Sequence, residues 1–319
     1  MGAEDSFSVT MLTASTRLVG DSGSLQTIGR VDFNNLVRSL NQDFRFPLEK
    51  VRFGAVNRLD TTFEQLRNEG KKAFVAYVAA GDPDEGRSLK IMQALADAGA
   101  DVIELGLPFS DPLADGIVNQ MAAGRALAAG ASTRSCLEMI REFRKTHDTP
   151  LVLFTYLNPV FTYGYEKFHA DAAAAGADGI LLLDLPPDEA ARNADLASEV
   201  GLAHIRLIAP TTPEDRVKLL AESSQGFIYA LSRTGVTGAH GAPSEGIGEV
   251  VSRIKAHTET PVCVGFGINT PEQASMVASV SDGIVVGSAI VKIVENNADD
   301  PDVATKVGAF VKTLVDAIR

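Results

Sequence analysis

Tryptophan is missing from this 319-residue sequence, and cysteine and histidine are scarce, with two and five residues. Cys136 and Cys263 have no metal-type spacing, so neither a disulfide framework nor a cysteine-type zinc site is expected. Both read as small core residues of a reducing compartment. No apolar run reaches the roughly 18 residues that a membrane span needs. Positive charge is also short: 29 Lys and Arg face 41 Asp and Glu, a net charge of −12. That balance argues against nucleic acid or an anionic membrane as partner. An anionic ligand would have to be held by local donors. What is present, 45% hydrophobic and 22% charged residues, is ordinary for a globular chain.

Residues 1–56 show no clear pattern. Ser and Thr recur in "SFSVTMLTASTRLVGDSGS", and "VDFNNLVRSLNQDFRF" has room for a short helix. This segment reads as an N-terminal extension, flexible or loosely docked. As a plastid transit peptide it would carry too many acids, Glu4, Asp5, Asp21 and Asp32 among them. The expected compartment is the cytoplasm, with a plastid as the alternative if the extension is a transit peptide.

From residue 57 to 319 the pattern alternates. Apolar runs recur at 73–80, 100–108, 150–159, 177–186, 204–210, 226–232, 261–268 and 282–291. Each is nearly continuous, as a parallel strand buried on both faces should be. Helical stretches lie between them, among them 84–100, 135–147, 187–201 and 212–223. "TPEQASMVASV" places Thr270 as an N-cap with Pro271 at the first helical position. Eight strands alternating with helices predict an α/β fold, a (β/α)8 TIM barrel. A doubly wound open sheet is the alternative, disfavoured by the count of eight.

In such a barrel chemistry sits at the C-terminal strand ends. A Schiff-base enzyme needs a lysine there, and none of the eight strands supplies one. A metal-dependent lyase needs clustered ligands; His147, His169 and His257 fall on predicted helices, His204 at the start of strand five, and only His240 in an active-face loop. Carboxylates remain. "ADVIELGLPFSDPLADG" puts Glu104 inside an apolar strand, with Asp111 and Asp115 in the loop beyond. No strand offers an inward cation, and Arg206 is badly placed. A buried, unpaired Glu has a raised pKa and can pass protons both ways near neutrality. Asp111 before Pro112, and Asp115 before Gly116, read by pattern alone as turn residues. The Gly-rich ends of strands seven (Gly265–Gly267) and eight (Gly287–Ala289) form the usual phosphate cradle of this barrel.

Taken together, "ADVIELGLPFSDPLADG", "LSRTGVTG", "GFGI" and "GSAIVKIVE" resemble the α subunit of tryptophan synthase. "FEQLRNEGKKAFVAYVAAGDPD" and "LNPVFTYGYEKF" are similar too, so the resemblance spans roughly residues 58–318. It implies a carbon–carbon lyase that cleaves indole-3-glycerol phosphate into indole and glyceraldehyde 3-phosphate. The family's two catalytic carboxylates fall on Glu104 and Asp115. Glu104 would protonate C3 of the indole and take a proton from the glyceryl hydroxyl; Asp115 would accept the indole N–H proton. The phosphate ligands map onto Gly238, Gly267, Gly287 and Ser288. Tyr77, Phe154 and Tyr156 would wall the indole, Tyr229 lies near the substrate, and Thr237 closes on Asp115. The implied partner is a β subunit in an α2β2 complex; pyridoxal phosphate belongs to that partner, and no cofactor is expected on this chain. After Asp115 the family usually reads Gly-Pro, an apolar pair and Gln, whereas this chain has Ile117 for the proline and Asn119 for an apolar residue. A stand-alone lyase that releases indole, and a non-catalytic subunit that only activates a partner, are the competing readings.

Overall fold

A computed structural model describes residues 9–12, 15–19 and 25–28 as backbone, and residues 57–186, 189–232, 243–265 and 267–319. The chain divides into two compact units, Met1–Phe53 and Gly54–Arg319. In the first, β1 (Val9–Leu12), β2 (Ser15–Val19) and β3 (Leu25–Ile28) form an antiparallel sheet in the order β1-β2-β3. No pattern in residues 1–56 signals it. The short helix considered for residues 31–46 lies outside the described residues.

The second unit is the barrel. Its strands are β4 (Ala73–Ala79), β5 (Val102–Gly106), β6 (Leu151–Thr155), β7 (Gly179–Leu182), β8 (Ala203–His204), β9 (Arg206–Ile208), β10 (Ile228–Leu231), β11 (Val262–Gly265) and β12 (Gly283–Val286). They pair in parallel in the order β8-β7-β6-β5-β4-β12-β11-β10-β9. The two ends of that series are halves of one strand, interrupted only at Ile205, so the sheet closes on itself through the fifth of eight strands. All eight correspond to the apolar runs. The runs overshoot, however: that at 150–159 continues into a helix beginning at Leu157, and that at 282–291 into one beginning at Ser288. Hydrophobicity reports burial, and a helix packed on the barrel is buried as well.

The helices are α1 (Arg58–Asn68), α2 (Glu85–Asp97), α3 (Ile117–Ala128), α4 (Thr133–Phe143), α5 (Leu157–Tyr163), α6 (Tyr165–Ala175), α7 (Ala190–Glu199), α8 (Glu214–Glu222), α9 (Pro243–Lys255), α10 (Pro271–Ala278), α11 (Ser288–Asn296) and α12 (Val303–Asp316). Helix α10 starts as read from the sequence, with the Thr270 side chain accepting from the Gln273 N–H and Pro271 in the first turn. His147 and His257 fall just past the ends of α4 and α9 rather than within them.

Side chains on alternate strand positions form two layers. Ala73, Val75, Val102, Val152, Leu181, Ile205, Phe227 and Val285 fill the barrel, while Phe74, Ile103, Leu105, Leu153, Ile180 and Ile284 pack outward against the helices. Helix α1 belongs to the inner layer: Leu59, Phe63 and Leu66 are buried and plug the N-terminal end, with the rings of Phe63 and Phe227 5.6 Å apart. Each such side chain contributes about 1.5–3 kcal/mol on burial.

Asp178, buried just before β7, fastens the plug. Its carboxylate accepts from Arg58 Nη1 and Arg144 Nη2, both at 2.7 Å, and from the Leu151 N–H at 2.8 Å. Its carbonyl accepts from Asn57 Nδ2 at 2.7 Å, and Asn57 also caps α1. Asp178→Asn would leave two guanidinium groups facing a neutral amide. Breaking a buried pair in this way costs about 3–5 kcal/mol. We expect a loss of that order in urea unfolding at unchanged kcat per folded molecule, because the contact lies at the opposite end from the C-terminal strand ends.

Candidate active site

The register of β4 and β5 sets Tyr77 directly beside Glu104, and both point into the barrel. Glu104 is 1% exposed, and its Oε1 has no hydrogen-bond partner. Burial alone pushes its carboxyl up to about 8, with no neighbouring cation to oppose it. Arg206, the one arginine in the described barrel strands, sits on the alternate register to inward-facing Ile205 and therefore points out toward the helices.

Two glycines make room for the phenols around Glu104. A Cβ on Gly106 would lie 2.4 Å from Tyr77 Oη, and one on Gly265 would lie 2.4 Å from Tyr229 Oη. Both glycines end their strands, β5 and β11, on the inward register. Thus Gly265, which the sequence pattern groups with the turn after strand seven, lodges the Tyr229 hydroxyl instead. Burial pushes both phenols upward, with Asp115 and Glu104 adding to the effect at Tyr77, and Glu104 and Asp115 at Tyr229. Near neutral pH they are therefore protonated donors.

Aromatic rings line one side. Tyr77 meets Phe154 edge-on at 5.1 Å between centroids, and Phe109 lies 5.4 Å from Tyr156. Phe109, in the loop after β5, was not singled out by the sequence; a lone aromatic between Pro108 and Ser110 has no periodic signal. Tyr156 is not in a strand, because β6 ends at Thr155 and Tyr156 is the N-cap of α5. That position turns its hydroxyl across to the neighbouring loop, where it donates to Asp115 Oδ2 at 2.7 Å and accepts from the Ala114 N–H at 3.0 Å.

Asp115 itself lies in the loop between β5 and α3 and is half-buried. Burial raises its carboxyl, while hydrogen bonds from Tyr156 and Asn119 pull it back down. Its carbonyl accepts from Gln120 Nε2 at 2.8 Å, and its N–H donates to the Pro112 carbonyl at 3.0 Å. Asp111 is an exposed loop residue braced by the Ser110 hydroxyl at 2.5 Å, the turn role that its pattern suggested.

At the other side of the mouth, Gly267 has φ +67°, and a Cβ there would meet nothing within 4 Å. Gly287 is the N-cap of α11 and has no side chain with which to satisfy the helix N–H groups. A Cβ on it would press on the Tyr77 ring at 3.3 Å. Ser288 opens α11 and is exposed. Open backbone donors at a helix start attract anions. Thr237, Gly238 and His240 lie outside the described residues. Among the described residues no three His, Cys, Asp or Glu side chains are grouped to hold a metal ion, and no helix is long and apolar enough to cross a membrane.

A closed eight-stranded (β/α)8 barrel with one buried, unpaired carboxyl and a second one at its mouth defines the class: a TIM barrel equipped for acid–base chemistry. A family model described as tryptophan synthase alpha chain matches residues 63–319. The tryptophan synthase alpha chain of Desulfatibacillum aliphaticivorans is 48% identical over 261 residues, 82% of this chain and 98% of the relative. Among solved structures, tryptophan synthase subunit alpha from Legionella pneumophila is 39% identical, with a TM-score of 0.76 over 83% of this chain and 99% of that one. A chain of tryptophan synthase from M. tuberculosis is 33% identical, with a TM-score of 0.74 over 83% of this chain and 100% of that one. The chain belongs to the tryptophan synthase alpha chain family.

The Glu104 carboxyl leaves a mark on stability. Unfolded, it loses its proton near 4.5; folded, it keeps it to about 8. Between those values the native state binds the extra proton, so stability falls as pH rises through the window and is level outside it. Compared with Glu104→Gln, the wild type should lose on the order of a few kcal/mol between about pH 5 and about pH 9. Urea midpoints measured for both proteins across that range test this; parallel curves would mean that Glu104 ionises normally.

Proposed function

We propose that this protein is the α subunit of a tryptophan synthase complex and cleaves indole-3-glycerol phosphate to indole and glyceraldehyde 3-phosphate. The observation that carries the reading is Glu104, an acid buried without counter-charge in an aromatic-lined barrel. A carboxyl with a pKa of about 8 is protonated at neutral pH and can serve as a general acid. Glu104 then gives its proton to C3 of the indole while Asp115 takes the proton from the ring nitrogen, which yields the indolenine. The Glu104 carboxylate next removes the proton of the C1′ hydroxyl. The bond from C3 to C1′ breaks, C1′ becomes the aldehyde, the electron pair returns to the ring, and Asp115 reprotonates the nitrogen. Tyr77, Phe154 and Tyr156 wall the indole, with Tyr229 beside Glu104. Gly267, Gly287 and Ser288 hold the phosphate on backbone and hydroxyl donors, and the family resemblance assigns Gly238 to the same ligand set and Thr237 to the loop that acts with Asp115.

This mechanism needs Glu104 protonated and Asp115 ionised. The profile of kcat/KM should therefore be a bell, its basic limb near the Glu104 value of about 8 and its acid limb set by the raised Asp115 carboxyl. Glu104→Gln should cut cleavage by about 10²–10⁴-fold and abolish the basic limb, with glyceraldehyde 3-phosphate still bound. The chain lacks tryptophan, so indole release can be followed by fluorescence. Near-wild-type turnover by this variant would end the assignment.

The partner reading rests on exposed apolar groups around the mouth. Leu113 is 90% exposed, Ile117 68%, Met121 51% and Phe161 75%. Ile117 and Met121, four apart, share one face of α3. Apolar side chains left bare in this way mark a contact surface, here for a β subunit. Pyridoxal phosphate would belong to that subunit, as the family resemblance implies; no described strand of this chain ends in a lysine that could bind it as a Schiff base. Adding a β subunit should raise cleavage at least about 10-fold, or about 1.4 kcal/mol, and Phe161→Asp should weaken the complex by a similar factor in titration calorimetry. Full activity alone, unchanged by the partner, would favour the stand-alone lyase.

A further inference from the structure

Asn119 stands in the first turn of α3, where the family resemblance leads one to expect an apolar side chain. Its side chain lies one helical turn from Asp115 and helps to hold that carboxyl down, while its Oδ1 is buried with no partner at all. An ionised carboxylate can only accept, so Nδ2 is the atom through which Asn119 can favour the charged form. Tyr156 is the other partner of that carboxylate. Its hydroxyl proton is committed to Asp115, and its oxygen already accepts from the Ala114 N–H. Tyr156 thus serves the ionised carboxylate and offers little to a carboxylic acid, whose O–H needs an acceptor.

We propose that Asn119 is a positioning residue that follows the protonation state of Asp115, donating from Nδ2 to the carboxylate and, after a half-turn of the carboxamide, accepting at Oδ1 from the acid. The inference rests on Asp115 being the group that takes the indole N–H proton. In the ground state Nδ2 fixes one carboxylate oxygen. When the ring nitrogen's proton moves to Asp115, the new O–H meets the otherwise unpaired Oδ1, and the motion reverses when that proton returns. No other atom is exchanged. The helix that carries Asn119 is itself held: Arg125, two turns on, binds both oxygens of buried Asp82 at 2.9 Å in the loop after β4. The Asn119 N–H is bonded to the Gly116 carbonyl at 3.0 Å, so its backbone is settled and only the carboxamide turns.

The test compares Asn119→Leu, Asn119→Asp and Asp115→Asn in the full chain, with indole fluorescence as readout. Leu has nearly the shape of Asn but neither donor nor acceptor. We expect kcat to fall about 10-fold with KM within about two-fold. Losing a donor to the carboxylate also raises the Asp115 pKa, so the acid limb of kcat/KM should move to higher pH. Asn119→Asp adds a like charge and should move it further. The melting temperature of Asn119→Leu should equal or exceed that of wild type, since an unpaired buried acceptor has been removed; a purely structural residue would lower it and leave the limb in place. An unmoved acid limb with kcat within two-fold of wild type overturns the proposal while leaving Asp115 its role, provided Asp115→Asn is inactive. Cleavage retained by Asp115→Asn overturns both.

Discussion

The site depends on one unfavourable fact: a carboxyl group is buried in the barrel with nothing to neutralise it. Glu104 is 1% exposed, and its Oε1 is unpaired. In a low-dielectric interior a lone carboxylate is costly, and the least expensive answer is to keep the proton. The surrounding residues avoid giving it any other answer. The neighbours on its register are Tyr77 and Val152, and the strand arginine is turned outward. A lysine or arginine in the interior would make the protein more comfortable and the carboxyl permanently charged. The phenols of Tyr77 and Tyr229 are polar without being basic, and Gly106 and Gly265 admit them where any side chain would collide.

A carboxyl that costs stability at one end must be offset elsewhere, and the barrel separates the two tasks along its axis. The N-terminal end is closed by α1, by the Asp178 cluster and by Arg319, whose guanidinium reaches the Asp101 carboxylate at 2.8 Å and the Lys72 carbonyl at 2.8 Å. These are ion pairs and apolar contacts with ordinary energetics. The C-terminal end holds the unpaired acid, the exposed apolar side chains and the helix start without a side-chain cap. Each of those is a local defect as packing and a resource as chemistry.

Much of this was legible in the sequence, and what was not has definite reasons. The strands could be read because parallel barrel strands are apolar on both faces, and Glu104 stood out against that background. Strand ends could not be read where an apolar run passes from strand into buried helix, which is why Tyr156 looked like a strand residue and proved to be a helix cap. Gly106 was missed, and Gly265 was assigned to the phosphate turn, because the purpose of each is the space that another strand's tyrosine occupies, a relation between residues far apart in the chain. Asp115 by itself looked like a turn; its partial burial and the Tyr156 hydroxyl, donating at 2.7 Å from the start of α5, distinguish it from the exposed Asp111.

The two carboxyls are the same functional group placed in opposite circumstances. Glu104 has burial and no donors, so its proton is retained. Asp115 is half-buried, but a phenol and a carboxamide donate to it, and each favours the charged form. Environment alone therefore pushes their protonation states apart, the condition under which one acid can give a proton while the other takes one. Strand position fixes the first environment: Glu104 cannot leave the barrel without breaking β5. The second is assembled from the loops and helix starts at the mouth, with the donors of α3 and α5 meeting over a loop that neither strand fixes. A change at the surface of the mouth can reach only the second, because α3 and α5 are exposed there while Glu104 is enclosed in the interior. The exposed Ile117 and Phe161 lie on those same two helices. The contrast between a fixed carboxyl and an adjustable one follows directly from where each sits on the barrel.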